Sequence, residues 1–282
     1  MKNGGSKMYT KEDLKNDLKR LGINQYGTLK VHSSYKSIGQ VDGGPETVLD
    51  SLSEYMEEGL LVLPAHTWAH VNQENPTFHV DQSETNVGIL TEMFRKRDGV
   101  IRSLHPTHSV AALGKDAKAF TEGDEKLDTP CARTSPYGKL LDRNAQIMLI
   151  GIDLIKNTFI HGIEEWVDIP GRVTDSHEQL YSVASDGTKV SVPSRRHYGK
   201  TWSDHFWKVD DYLLKLGAMH IGKFGDAEVR ICDTAKMTKI ITVMLEIDPD
   251  LFSDIEPLTE EFSQAFEEKW KVNQSLIMHN TL

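Results

Sequence analysis

The sequence predicts an α/β fold, a layered α/β/α sandwich with a mostly parallel central sheet and an antiparallel hairpin insertion in its C-terminal half. Three observations predict it. Helical and extended patterns alternate through the first half, the order that builds parallel strands joined by crossover helices. Residues 60–63 (LLVL) are apolar at consecutive positions, and so is the IMLI run within 146–151 (QIMLIG), as strands covered on both faces are. Two further extended runs flank Ser185-Asp186-Gly187-Thr188, an Asp-Gly turn signal.

Taken in order, Thr10 and Asp13 form a capping box, Leu14, Leu18 and Leu21 one apolar stripe, and Gly22 a helix stop. Residues 28–32 read as a strand. Pro45 suits a first helical position, with Val48, Leu49, Leu52 and Met56 on one face and Gly59 as the stop. The strand 60–63 follows, then a helix over 85–96, a strand over 109–113, the strand 146–151 and a helix over 158–166. Beyond Val173 the pattern changes to the hairpin of 181–184 and 189–192, inside an insertion of about 173–200. Helices over 209–216 and 259–271 frame a mixed segment that includes 240–247. No Pro/Gly/Ser-rich linker or repeat divides the chain, so residues 1–282 are expected to form one domain.

Hydrophobic residues make up 38% of the chain, which is enough for a packed interior and too many for a disordered protein. Cys131 and Cys232 stand far apart with no CxxC or Cys/His cluster, which argues against a zinc ribbon or disulfide scaffold and fits a reducing cytoplasm. The N-terminal residues have no apolar h-region and no stretch approaches a membrane span, so a cytoplasmic protein without membrane association is expected. The formal net charge is −10, from 32 basic and 42 acidic residues. That field disfavours nucleic acid and admits a polycationic substrate, although ordinary solubility explains it equally well.

Four clusters fall where a strand ends and a loop begins, the place where open α/β sheets bind ligands. His32-Ser33-Ser34 leads to Gly43-Gly44-Pro45, hydroxyls and backbone amides ahead of a helix that suit phosphate oxygens. A simple helix-entry loop would look the same, and neither a P-loop nor GxGxxG is present. Pro64-Ala65-His66-Thr67-Trp68 follows the second strand and offers a hydroxyl and an indole for a pocket wall or a rim. Arg102-Ser103-Leu104-His105-Pro106-Thr107-His108-Ser109 combines two histidines with hydroxyls beside a proline turn. These groups either bind phosphate and orient a substrate or are merely hydrogen-bonded loop residues.

The fourth cluster, Asn157-Thr158-Phe159-Ile160-His161-Gly162-Ile163-Glu164-Glu165, is the most informative. Asn157 suits an N-cap. On a helix His161 lies one turn from Thr158 and Glu164, and Glu165 at i+4 is a second possible partner. An imidazole held by a carboxylate keeps one tautomer and gains basicity, which suits a general base. The alternative is a surface His–Glu pair of little energetic weight. HxxE also occurs in metal sites, with His105 or His108 as a further ligand. HExxH is absent, however, and HxxEH would need histidine where Glu165 stands. No metal is therefore expected.

Together these segments resemble the aminoglycoside 3-N-acetyltransferase family. The resemblance runs over residues 30–175 through HSSYKSIGQVDGGPETV, LVLPAHTW, NVGILTEMFRKRDGVIRSLHPTHSVAALG and SPYGKLLDRNAQIMLIGIDLIKNTFIHGIEE, and returns more weakly in IGKFGDAEVR at 221–230. It implies an acyltransferase of layered α/β fold that moves the acetyl group of acetyl-CoA to the 3-amino group of an aminocyclitol ring. Antibiotic resistance follows as the implied role. The family's acid–base histidine falls on His161, with Glu164 in the same motif. His32, Ser33, Ser34, Gly43, Gly44, Thr67, Thr107, His108 and Ser109 fall on parts that border acetyl-CoA. Ala65-His66 stands where the family usually carries Thr-Phe, and the region after Val173 matches too poorly to carry over an acceptor.

A thioester is already activated, so direct attack by the deprotonated amine is the expected chemistry, with His161 taking its proton. Thr158, Ser109 or a backbone amide is available to stabilise the oxyanion. Cys131 has no positioned histidine in sequence, which disfavours an acyl-enzyme. Three rivals remain: the same chemistry on another small amine, metal-assisted hydrolysis through His161 and Glu164, and a non-catalytic binder. The partners expected are acetyl-CoA, a small cationic amine and, as an oligomeric possibility, a second copy in a homodimer.

Overall fold

Successive side chains of a strand face opposite sides of its sheet, and the central strands here place apolar groups on both. Ile147 and Leu149 join one core cluster while Met148 and Ile150 join the other; Leu60 and Val62 separate from Leu61 and Leu63 in the same way. Two covered faces explain why these segments are continuously apolar.

The computed structural model describes residues 7–197 and 202–279. The chain begins with β1 (Met8–Tyr9), α1 (Lys11–Arg20), β2 (Thr28–Ser33), β3 (Gln40–Val41), α2 (Gly44–Tyr55), β4 (Leu60–Pro64) and β5 (Thr77–His79). It continues with α3 (Ile89–Phe94), β6 (Ile101–Arg102), β7 (Val110–Gly114), α4 (Ala117–Thr121), α5 (Pro136–Asp142), β8 (Gln146–Ile150) and α6 (Phe159–Trp166). Then follow β9 (Glu178–Val183), β10 (Lys189–Ser194), α7 (Asp210–Lys215), β11 (Met219–Phe224), β12 (Ala227–Asp233), α8 (Thr234–Ile247) and α9 (Glu260–His279).

The main sheet has 7 strands in the order β11-β12-β8-β2-β4-β7-β6. Its centre, β8-β2-β4, is bonded in parallel, and the outer neighbours are antiparallel. Only β12 and β7 run against the direction of the others. Helices α1, α2 and α3 cover one face with Leu14, Leu18, Leu49, Leu52 and Phe94; α5, α6 and α8 cover the other with Leu140, Phe159, Ile163, Ile240 and Met244. The hairpin β9–β10 is antiparallel, with Lys189 opposite Val183, and β5 joins β9 in parallel to make a 3-stranded sheet. Its turn has Gly187 at φ +84 and the Thr188 N–H donating to Asp186 Oδ1 at 2.8 Å.

Local chemistry sets the ends of the elements. Thr10 and Asp13 close the capping box of α1 in both directions. The helix expected from residue 85 begins only at Ile89, because Gly88 takes φ +106. Helix α8 occupies the segment expected to be mixed, and its Ile and Val side chains are buried on several sides, which blurs the helical period. No helix among the described residues is long and apolar enough to cross a membrane.

In α5, a Cβ added to Gly138 would meet the backbone carbonyl of Arg133 far inside contact distance. Gly138→Ala is therefore expected to destabilise the protein by about 1–3 kcal/mol, read as a lower denaturant midpoint at unchanged slope.

Candidate active site

The carboxyl ends of the three parallel strands open into one cavity of about 650 Å³. His32 and Ser33 end β2; Pro64 ends β4, and His66 and Trp68 follow it; Ile152, Ile155 and Lys156 follow β8; Thr158 and His161 come from the start of α6. His108, just ahead of antiparallel β7, enters from the same edge, and Arg196, His197 and Ser203 close the remaining side.

Helix α6 positions the central group. The Asn157 carboxamide accepts from the Phe159 N–H at 3.3 Å, and the first turn then carries Thr158 and His161 to the cavity. His161 Nδ1 lies 2.9 Å from Glu164 Oε2. The other oxygen of Glu164 accepts from Arg172 Nε at 2.6 Å, and both charged side chains are nearly closed to solvent, at 1% and 3% exposure. A buried carboxylate held from both sides fixes the imidazole's rotamer and tautomer and leaves Nε2 for chemistry. Burial of the His161 ring, then the neighbouring His197, pushes its pKa below the ordinary histidine value, while Glu164 pulls the other way.

Glu165, the alternative partner of His161, serves another ring. Its Oε1 lies 2.6 Å from His197 Nε2 and accepts the Cys131 N–H at 2.9 Å. His197 stacks on His161 with centroids 4.4 Å apart. A row continues inward through His108, 5.5 Å from His197, and His66, 4.8 Å from His108, to the Tyr137 hydroxyl, 2.6 Å from His66 Nε2. Burial first, then Lys30 for His32 and His66 and the neighbouring rings for His108, hold the three well below the usual histidine range. Beneath them Lys30 sits 3.9 Å from the centre of the Tyr137 ring, pushed down to about 7 by burial.

The residues expected to border a cofactor divide into three groups. His32, Ser33 and His108 line the cavity. Thr67, Thr107 and Ser109 are fully buried behind it. Thr67 Oγ1 donates to the Pro106 carbonyl at 2.5 Å, Ser109 Oγ to that of Ala65 at 2.7 Å, and Thr107 Oγ1 lies 2.9 Å from His108 Nδ1. Their hydroxyls shape the wall instead of facing its contents. Ser34, Gly43 and Gly44 also lie off the cavity lining. Both glycines have positive φ at the entry to α2, where a Cβ on Gly43 would meet the Thr47 hydroxyl. Their conformation serves the turn.

Removing Glu164 breaks its ion pair with Arg172, where both side chains are nearly closed to solvent. Glu164→Ala is expected to cost about 3–5 kcal/mol of stability, seen as a lower thermal midpoint. Turnover should fall in the same variant at temperatures where it remains folded.

The chain's similarities point one way. The family model described as aminoglycoside 3-N-acetyltransferase matches residues 31–246. The chain is 32% identical over 199 residues to aminoglycoside N(3)-acetyltransferase VII of Streptomyces paromomycinus, covering 64% of this chain and 68% of that one. It is 31% identical over 252 residues to the SPbeta prophage-derived aminoglycoside N(3')-acetyltransferase-like protein YokD of Bacillus subtilis, covering 79% and 87%. Among solved structures it is similar to AAC-IIIb binary with CoASH, with TM-score 0.75, 24% identity and coverage of 89% and 100%. It is also similar to an alanine mutant of AAC(3)-IVa in complex with apramycin, with TM-score 0.74, 23% identity and coverage of 90% and 100%.

Proposed function

Because the chain belongs to the aminoglycoside 3-N-acetyltransferase family of acyltransferases, we propose that it transfers the acetyl group of acetyl-CoA to the 3-amino group of an aminoglycoside's aminocyclitol ring. One observation carries the mechanism: an imidazole in the cavity whose Nδ1 is held by a buried carboxylate, itself held by a buried guanidinium. In this mechanism the amine attacks the thioester carbonyl directly. His161 Nε2 accepts the amine proton, and Glu164 stabilises the imidazolium that forms. The carbon–sulfur bond then breaks and CoA leaves as its thiol.

Thr158, on the cavity wall one turn before His161, is the oxyanion donor in this reading. Ser109 is the weaker candidate, since its hydroxyl is already committed to Ala65. Cofactor contacts fall to His32, Ser33 and His108, with the backbone near Ser34, Gly43 and Gly44 as an anion-binding surface. Lys156 on the same wall suits an anionic cofactor better than a cationic acceptor. The net charge of −10 favours approach of a polycation. Acetylation removes one of the acceptor's positive charges, which supports a role in aminoglycoside resistance.

Thiol release from acetyl-CoA, measured with and without an aminoglycoside, tests the proposal. Aminoglycoside-dependent release with acetylation at the 3-amino group supports it. Release confined to other amines overturns the acceptor, and acetyl-CoA binding without turnover overturns the enzyme.

A further inference from the structure

Three donor atoms of different chemistry meet directly behind the histidine wall. Cys131 Sγ, a Glu165 carboxylate oxygen and a ring nitrogen of His197 all lie within 4.8 Å of one another. They come from separate parts of the chain: the loop before α5, the last turn of α6, and the segment leaving β10. Cys131 is fully buried, and the Glu165 and His197 side chains are 6% and 16% exposed.

We propose that Cys131, Glu165 and His197 form a site for a thiophilic divalent cation of the Zn²⁺ type, and that its occupation inhibits the enzyme. Sulfur, imidazole nitrogen and carboxylate oxygen are the ligand types that Zn²⁺ takes, and three protein ligands leave one tetrahedral position open. His197 lines the cavity, so that position faces the route by which an ion enters. The charges balance: a thiolate and a carboxylate neutralise the dication, which a buried site requires. Binding breaks the Cys131 S–H bond and forms a sulfur–metal bond, releasing one proton to solvent. His197 donates the lone pair of the ligating nitrogen and keeps its proton on the other.

The surroundings hold this geometry. The Cys131 N–H donates to Glu165 Oε1 at 2.9 Å, and Trp166 Nε1 donates to the Cys131 carbonyl at 2.8 Å. Both fix the backbone that presents the sulfur, as outer-shell contacts of metal sites do. The set differs from a catalytic one, because His161 and Glu164 take no part in it. Inhibition follows from contact: an ion on His197 locks the ring stacked on His161, 4.4 Å between centroids.

Co²⁺ titration of the full-length, chelator-stripped protein tests the site apart from acetyl transfer. The expected result is a thiolate-to-cobalt charge-transfer band with the intense visible bands of tetrahedral Co²⁺, at one ion per chain. Cys131→Ser should abolish the charge-transfer band and Cys232→Ser should leave it unchanged. His197→Gln, which keeps the thiol, should weaken Zn²⁺ binding in calorimetry about tenfold or more, and serves if Cys131→Ser fails to fold. Zn²⁺ should inhibit thiol release by the parent protein and spare folded Cys131→Ser. No charge-transfer band in the parent protein, a band that survives Cys131→Ser, or Zn²⁺ affinity unchanged in His197→Gln would overturn the proposal.

Discussion

His161→Gln is expected to lower kcat by about 100-fold or more while CoA binding stays nearly unchanged. Glutamine keeps a hydrogen-bonding group of similar reach on the same turn of α6, so the cavity is preserved and the proton acceptor is lost. The physical ground is a chain of three groups. Arg172 pins Glu164, Glu164 pins Nδ1 of the ring, and the proposed mechanism assigns the ring's other nitrogen to the amine. A general base contributes about 10²- to 10⁴-fold. What survives its removal is the contribution of holding two substrates together, which the variant keeps. Pre-steady-state thiol release separates the chemical step from product release, and titration calorimetry with CoA reads the binding. A variant that turns over at the parent rate removes His161 from the role.

The second large effect is on acid stability. His32, His66, His105, His108 and His161 all have pKa values lowered by burial, His105 to about 3. In the unfolded chain each returns to its ordinary value near 6.5. A histidine depressed in the folded state contributes stability that is present above that value and is lost as pH falls below it. Each such group costs about 1.4 kcal/mol per pH unit while only the unfolded chain takes up the proton.

Three groups modify this. Burial raises Asp124 to about 7 and Asp210 to about 6, so between those values and the ordinary carboxylate range each gains stability as pH falls and offsets one imidazole. Lys30, lowered to about 7, has its effect above neutrality. Against a typical domain stability of about 5–15 kcal/mol, the remaining slope is expected to unfold the protein between about pH 6 and pH 4. Thermal midpoints followed by circular dichroism from pH 7.5 down to 4.5 check this. A midpoint that stays flat across that range would show that these rings gain protons in the folded protein as readily as in the unfolded one.

The parts of the fold legible in sequence were those with one unambiguous physical cause. LLVL and QIMLI are strands because both faces are covered, and the Asp-Gly turn pinned the hairpin. The capping box of α1 needed only Thr10 and Asp13. Helix α8 was not legible, because Ile240, Ile241, Val243, Met244 and Leu245 are all buried and the exposed stripe of Lys236, Lys239 and Glu246 that marks the period is narrow. The late start of α3 depends on the conformation of Gly88, which composition does not reveal.

The site divides along the same line. His161 and Glu164 are three residues apart on one helix, so a helical pattern is enough to bring them together. Arg172 reaches Glu164 from beyond the helix end, and His197 reaches His161 only because the chain leaving β10 returns to α6. No short spacing records either contact. Thr67, Thr107 and Ser109 make hydrogen bonds that spacing does not record. A hydroxyl in a loop at a strand end has the same identity whether it faces a cavity or bonds a neighbouring carbonyl, and here the carbonyls and His108 hold them.

A crystal structure of this protein with CoA bound tests the central claim most directly. The CoA sulfur is expected inside the cavity at the carboxyl ends of β2, β4 and β8. An amine placed for attack on that thioester, at roughly 3–3.5 Å from the reacting carbon, would then lie within hydrogen-bond reach of His161 Nε2. A sulfur bound on another face of the sheet, or shielded from His161 by the histidine row, would contradict it.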